Sequence, residues 1–400
     1  MKEITVALCL TILFLSGFCL DAHAKYVFKP GSRQAIWVPD SQAANGVEYN
    51  KQGYARGANN TSGYTQTGGM SVRRGMSPSS MVPSSSFSNS KSNSNSNSNS
   101  NSNSSSHSKE FTDYVEVQGL KRPFSYHLPN TYNRARSTPV VLVFAGLKMK
   151  GTDMIAATGM NGVSNRNNFI VVYGEPVGGE WQDGMKSRAY DDVQYVQAVL
   201  AKLGTVCNID SHRVYAVGLS NGGFFCQLLA CSMPNKIAAI AVVSATGMEQ
   251  ALQKSSGEHA IPCMFFLGTD DPLINWQDGK SKTLGKYAKR LGVSEIDPAL
   301  LDIARYGGFY SVPDLIAFWT NHNRCAGSPS ESYEPDKDPR DGMRVKKSVW
   351  GQRGNAVVLY TIEGGGHTWP GCIFLSRNQK CCQDIDTSEI IWKFFQGESR

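Results

Sequence analysis

The chain has 400 residues, 40% of them hydrophobic and 18% charged, and a formal net charge of +7. That length is enough for a sizeable core without requiring two packed domains. The charge lies in one segment: residues 25–109 hold nine Lys or Arg against Asp40 and Glu48, which matches the whole excess and leaves the rest nearly neutral, so the body does not read as a nucleic-acid-binding fold and only the tail offers a weak basic contact to an anionic surface.

Residues 1–24 open with Lys2, run through an apolar stretch and end at Ala22-His23-Ala24, the pattern of a cleavable signal peptide. The apolar run from Thr5 to Leu20 is 16 residues, shorter than the about 20 a membrane span needs. Export to the extracellular space or periplasm, without a transmembrane span, is therefore expected. Residues 25–109 are rich in Gly, Ser and Asn and finish in an alternating Ser-Asn tract. They have too little apolar surface to offset the entropy of ordering and read as a disordered linker. The folded body is then 110–400.

Within it, YVEVQG and FSYHLP alternate polar and apolar residues around Gly119 and Pro123, predicting an antiparallel pair. PVVLVFAG is a continuous β-branched run, the mark of a strand buried on both faces. A helix from about Asp153 to Asn168 and the strand FIVVYGEP follow. DDVQYVQAVLAKLG spaces Val193, Val196, Leu200 and Leu203 helically before the strand VYAVG. Next come the helix FFCQLLACSM and the strands IAAIAVVSA and IPCMFFLG; near the end lie an amphipathic run around DLIAFWTNH, the strand AVVLYTIE and a helix around SEIIWKFF. Strands alternating with helices predict an α/β fold, a mostly parallel central sheet covered by helices on both faces.

In such sheets chemistry gathers at the carboxyl ends of the strands. Ser220 follows VYAVG inside Gly-Leu-Ser-Asn-Gly, Asp270 and Asp271 follow MFFLG, and His367 follows VVLYTIE after three glycines. The order Ser, Asp, His is that of the α/β-hydrolase triad, and a Gly-x-Ser-x-Gly between strand and helix is its nucleophile elbow. Each type has a task. A serine hydroxyl attacks well only when a base removes its proton, a neutral imidazole can take and return it, and a carboxylate fixes the imidazole tautomer. The oxyanion needs backbone donors, which this fold draws from the residue after the nucleophile, Asn221, and from the loop after the first buried strand. No metal or cofactor is called for: the eight cysteines beyond the signal contain no C-x-x-C pair, and Cys381-Cys382 lacks ligand-spaced histidines. An even cysteine count in an exported chain predicts disulfides instead. Cys372 with Cys381 or Cys382 would clamp the loop after His367.

The stretch from about Tyr114 to Phe395 resembles the secreted esterase family that includes polyhydroxybutyrate depolymerases and feruloyl esterases. TGMNGVSNRNNFIVVYGEP, DDVQYVQAVL, GLSNGG, GTDDPLINW and, most specifically, GGGHTWPG are similar to its motifs. The resemblance implies Ser220 as nucleophile, His367 as base and Asp271, the aspartate before proline, as the acid rather than Asp270. It also implies an oxyanion donor at Leu147. One departure stands out: the family's His-Gly after the first buried strand is Ala145-Gly146 here. Trp369 and Trp181 are candidates to line the acyl pocket, although indoles beside catalytic loops serve core packing equally well. Asp191 and Asp192 read as helix caps. The expected activity is hydrolysis of polyhydroxyalkanoate, feruloyl or related esters. The competing reading is a surface or matrix-binding protein with a vestigial hydrolase fold, motivated by the Asn/Ser tail and Ala145.

Overall fold

Two residues with positive φ, Gln118 (52°) and Gly119 (74°), turn the first strand of the body back on itself, as a two-residue primed turn requires. The computed structural model describes residues 24–28, 35–39, 109–182, 190–278, 309–372 and 380–400. The expected signal peptide, 1–24, lies outside them except for Ala24, and the Ser-Asn tract lies outside them too. At the start of the stretch read as linker, β1 (Ala24–Phe28) and β2 (Ala35–Pro39) pair antiparallel. YVF and IWV are its β-branched and aromatic residues, the types that favour strands.

The turn at Gly119 joins β3 (Lys109–Val117) to β4 (Leu120–Leu128), antiparallel as predicted. Then follow β5 (Thr138–Phe144), α1 (Asp153–Thr158), α2 (Met160–Asn167), β6 (Ile170–Gly174), α3 (Asp192–Val206) and β7 (Ile209–Leu219). After these come α4 (Asn221–Ser232), β8 (Ile237–Val243), the short α5 (Glu249–Leu252), β9 (Cys263–Gly268), α6 (Val312–His322), β10 (Ser330–Tyr333), β11 (Arg344–Trp350), β12 (Val357–Glu363) and α7 (Thr387–Phe395). Where one helix was expected over 153–168 there are two. Gly159 takes a left-handed conformation (φ 63°) and caps the first while opening the second.

The ten strands form one sheet in the order β10-β11-β12-β9-β8-β7-β5-β6-β4-β3. Its centre, β6-β5-β7-β8-β9-β12, is parallel, and antiparallel strands close both edges. Alternation along β5 shows why its sequence is apolar throughout. Val140, Leu142 and Phe144 enter a core shared with α3, α4 and α6; Val141, Val143 and Ala145 enter a second core shared with α1, α2 and α7. Both faces are therefore dry, and the α/β-hydrolase architecture follows. No helix among the described residues is long and apolar enough to cross a membrane.

Candidate active site

The bend after β7 is held by glycines that touch each other. A Cβ on Gly218 would stand 2.2 Å from the carbonyl of Gly222, and one on Gly222 would stand 2.3 Å from the carbonyl oxygen of Phe144, at the end of β5. The sharp bend brings the start of α4 against β5 and leaves Ser220 at φ 54°, ψ −119°. That is close to the first central position of a type II′ turn, which glycine normally occupies. A serine there stores strain, a feature that clusters at functional sites. Its main chain is fixed on both sides: Ser220 N donates to Val243 O (2.8 Å), and Ser220 O accepts from Gly223 N (2.8 Å) and Phe224 N (3.1 Å).

The acid and the imidazole meet. His367 Nδ1 lies 2.7 Å from Asp271 Oδ2, with the two side chains 6% and 2% exposed. The other carboxylate oxygen accepts from Leu273 N (2.8 Å) and Ile274 N (3.0 Å), so Asp271 is an acceptor at both ends and His367 Nδ1 carries the proton in the neutral ring. His367 Nε2 is then the lone-pair nitrogen. It is buried and has no hydrogen-bond partner among the described residues. β9 ends close against the glycine run before His367: a Cβ on Gly268 would meet Gly365 O at 2.3 Å, and one on Gly365 would meet Ile362 Cβ at 2.7 Å, so neither position has room for a side chain. Asp270, the other candidate, turns outward and pairs with Lys380 Nζ.

The loop after β5 faces the elbow. A Cβ on Gly146 would be 3.7 Å from Ser220 Cβ, so the residue before Leu147 lies against Ser220. Left-handed Lys148 (φ 61°) and the bond from Gly151 N to Glu175 Oε2 (2.8 Å) shape the loop's far side. Burial pushes the Glu175 carboxyl above its ordinary range, and the Gly151 N–H opposes that shift. Asn221 opens α4, where main-chain N–H groups point out of the helix. Its side chain grips the main chain of Trp181, accepting from Trp181 N (2.7 Å). The Trp181 ring is fully buried, stacked on Phe225 at 5.0 Å and edge-on to Phe144. Trp369 is 3% exposed and belongs to the second core. Both indoles, offered as pocket-lining candidates, are thus packed into the two cores on either side of the sheet.

Three features escaped the sequence reading. Asp191 caps α3 through Gln194 N (3.0 Å) as expected, but Asp192 forms a buried ion pair with Arg122 (2.6 Å). Arg122 in turn lies 3.8 Å over the Tyr195 ring. Ser244, at the end of β8, donates its Oγ–H to Thr368 O (3.0 Å). The third concerns the expected disulfides: none joins any two cysteines among the described residues. The loop after His367 is closed by main-chain bonds instead, Gly366 N to Lys380 O (3.0 Å) and Gly371 N to Cys382 O (2.8 Å). Cys207, Cys226, Cys231 and Cys263 are buried in the first core. Burial pushes the thiols of Cys226 and Cys263 well above their ordinary range and that of Cys231 up to about 12. Among the described residues no group of three His, Cys, Asp or Glu is placed to hold a metal.

A parallel sheet of this order, with a strained serine, an aspartate and a histidine at the ends of β7, β9 and β12, has the architecture of the α/β-hydrolases. The relatives agree on the chemistry. A Nocardia uniformis subsp. tsuyamanensis protein named as an esterase, NocK, is 27% identical over 273 residues, 66% of this chain and 75% of its own. Feruloyl esterase B of Piromyces equi is 25% identical over 195 residues, 48% of this chain and 32% of its own. Poly(3-hydroxyalkanoate) depolymerase C of Paucimonas lemoignei is 22% identical over 269 residues, 61% of this chain and 58% of its own. The chain thus spans three quarters of the first relative but about a third of the second. No family model matches it. Fold and relatives together define the class as carboxylic ester hydrolases, and the predicted resemblance holds at that level.

Proposed function

We propose that the protein is a secreted serine esterase that cleaves carboxylic esters through a covalent acyl-enzyme. The observation that carries this reading is the 2.7 Å bond between His367 Nδ1 and Asp271 Oδ2, set beside the strained elbow at Ser220. His367 Nε2 takes the Ser220 proton as Oγ attacks the ester carbonyl, and the N–H groups of Asn221 and Leu147 receive the oxyanion. Collapse expels the alcohol, which leaves with the proton from Nε2. Water, deprotonated by the same nitrogen, then releases the acid. The polyhydroxyalkanoate and feruloyl esters named for the relatives are the substrate classes to screen, and the N-terminal segment supports export. Incubating the purified protein with a fluorophosphonate and locating the adduct by peptide mass tests the proposal. A single adduct on Ser220, lost in Ser220→Ala together with hydrolysis of a nitrophenyl ester, is expected. An unlabelled but folded wild-type protein would favour the binding-protein reading.

A further inference from the structure

Two main-chain positions join the nucleophile to the imidazole. Ser220 N donates to Val243 O (2.8 Å), the next residue is Ser244, and Ser244 Oγ donates to Thr368 O (3.0 Å), one residue past His367. The route from elbow to histidine loop therefore runs through a single hydroxyl. Asp271 restrains His367 from the side of Nδ1; the carbonyl of Thr368 restrains the main chain that carries the ring.

The backbone of Ser244 makes that hydroxyl conspicuous. Its φ is +51°, in the region that favours glycine, and its side chain is 1% exposed. Its N–H is committed to Phe266 O (3.0 Å), at the adjacent strand β9. A glycine would fill this position without strain and without loss of that main-chain bond. What it would lose is the hydroxyl, and the hydroxyl has one acceptor, next to the base. Strain retained at a buried position beside a reacting group points to a task at the site.

We propose that Ser244 is a positioning residue: its hydroxyl sets the His367 loop so that Nε2 faces Ser220 Oγ. This rests on the esterase reading above and adds a residue to it. Ser244 touches no reacting atom, so its loss should lower turnover while leaving KM close to the wild-type value. Without the Ser244 bond the imidazole is still held by Asp271 and its loop by the main-chain bonds at Gly366 and Gly371, so His367 remains a base, but one misplaced by a fraction of an ångström, and small misplacements cost up to about a hundredfold.

The test compares Ser244→Gly and Ser244→Ala with the wild-type full chain. Expected for Ser244→Gly is a thermal midpoint equal to or above the wild type, because strain is removed, together with a tenfold to hundredfold fall (order of magnitude) in both kcat and the rate of fluorophosphonate labelling of Ser220. Labelling is the informative readout, since it reports the reactivity of Ser220 without substrate fit. A purely structural serine would lower stability and leave the labelling rate of the folded fraction unchanged. Wild-type-like labelling and kcat in a stable Ser244→Gly protein overturns the assignment. If Ser244→Gly fails to fold, Ser244→Ala, which keeps the Cβ, carries the same comparison. Failure of the wild type itself to label would instead overturn the esterase reading.

Discussion

Replacing Ser220 by glycine should make the protein more stable than replacing it by alanine, while both destroy activity. The reasoning starts from φ 54°, ψ −119° at Ser220. A non-glycine residue in such a region costs about 1–3 kcal/mol; alanine keeps that cost and glycine removes it. Against this, glycine gives the unfolded chain more freedom, worth about 0.5–1 kcal/mol. The difference between the variants is then roughly 0.5–2 kcal/mol in favour of glycine. A folded body of about 290 residues has an unfolding entropy near 0.6 kcal/mol/K at the midpoint, so the expected gap is about 1–3 °C in Tm. Differential scanning calorimetry on the two purified variants resolves a gap of that size, and nitrophenyl-ester turnover, down by up to about a millionfold in each, shows that stability and catalysis separate at one residue. A Ser220→Ala protein that melts at or above Ser220→Gly would refute the claim that the elbow is strained.

The two neighbouring aspartates should respond differently. Asp271→Asn presents an amide to His367, favours the wrong tautomer and should cost on the order of ten-thousandfold in kcat; Asp270→Asn removes only an exposed pair with Lys380 and should cost less than about tenfold. Equal losses in steady-state assays of both variants would contradict the separate roles. Acid sensitivity should arise in part at His127, whose ring is buried beside β6 with Nε2 bound to Asn165 Oδ1 at 3.0 Å and Nδ1 unpartnered among the described residues. Burial lowers its pKa from the ordinary 6.5, with the Asn165 bond opposing. The folded state therefore binds a proton less readily than the unfolded state, and stability falls as pH drops below the ordinary imidazole range. Tm followed from about pH 7 to about pH 5 should fall less steeply for His127→Gln than for the wild type; parallel curves would show that His127 carries none of the effect.

What could be seen in the sequence and what could not divide along physical lines. The parallel strands were visible because burial on both faces demands unbroken apolar runs, and PVVLVF, IAAIAVV and CMFFLG are too short for buried helices and rich in β-branched or aromatic residues. The edge strands β10 and β11 were not, because SESY is exposed along its whole length and RVKKSVW carries two lysines, so neither alternates clearly. Asp270, Asp271 and His367 could be singled out because each follows the end of an apolar strand, the choice of Asp271 over Asp270 resting on the resemblance, and the same rule, applied to IAAIAVVS, would have found Ser244. It was missed because one serine after a strand is ordinary turn chemistry; only its φ and its bond to Thr368 distinguish it. The aromatic and cysteine readings were hard to fix from sequence for a shared reason. Trp181, Trp369 and the thiols are apolar enough to be absorbed by a core, and composition alone does not say whether such a side chain faces a substrate, a second sulfur or its neighbours. Here the neighbours win: Trp181 stacks on Phe225, and the loop that a disulfide was expected to clamp is already closed by two main-chain hydrogen bonds, at Gly366 and Gly371.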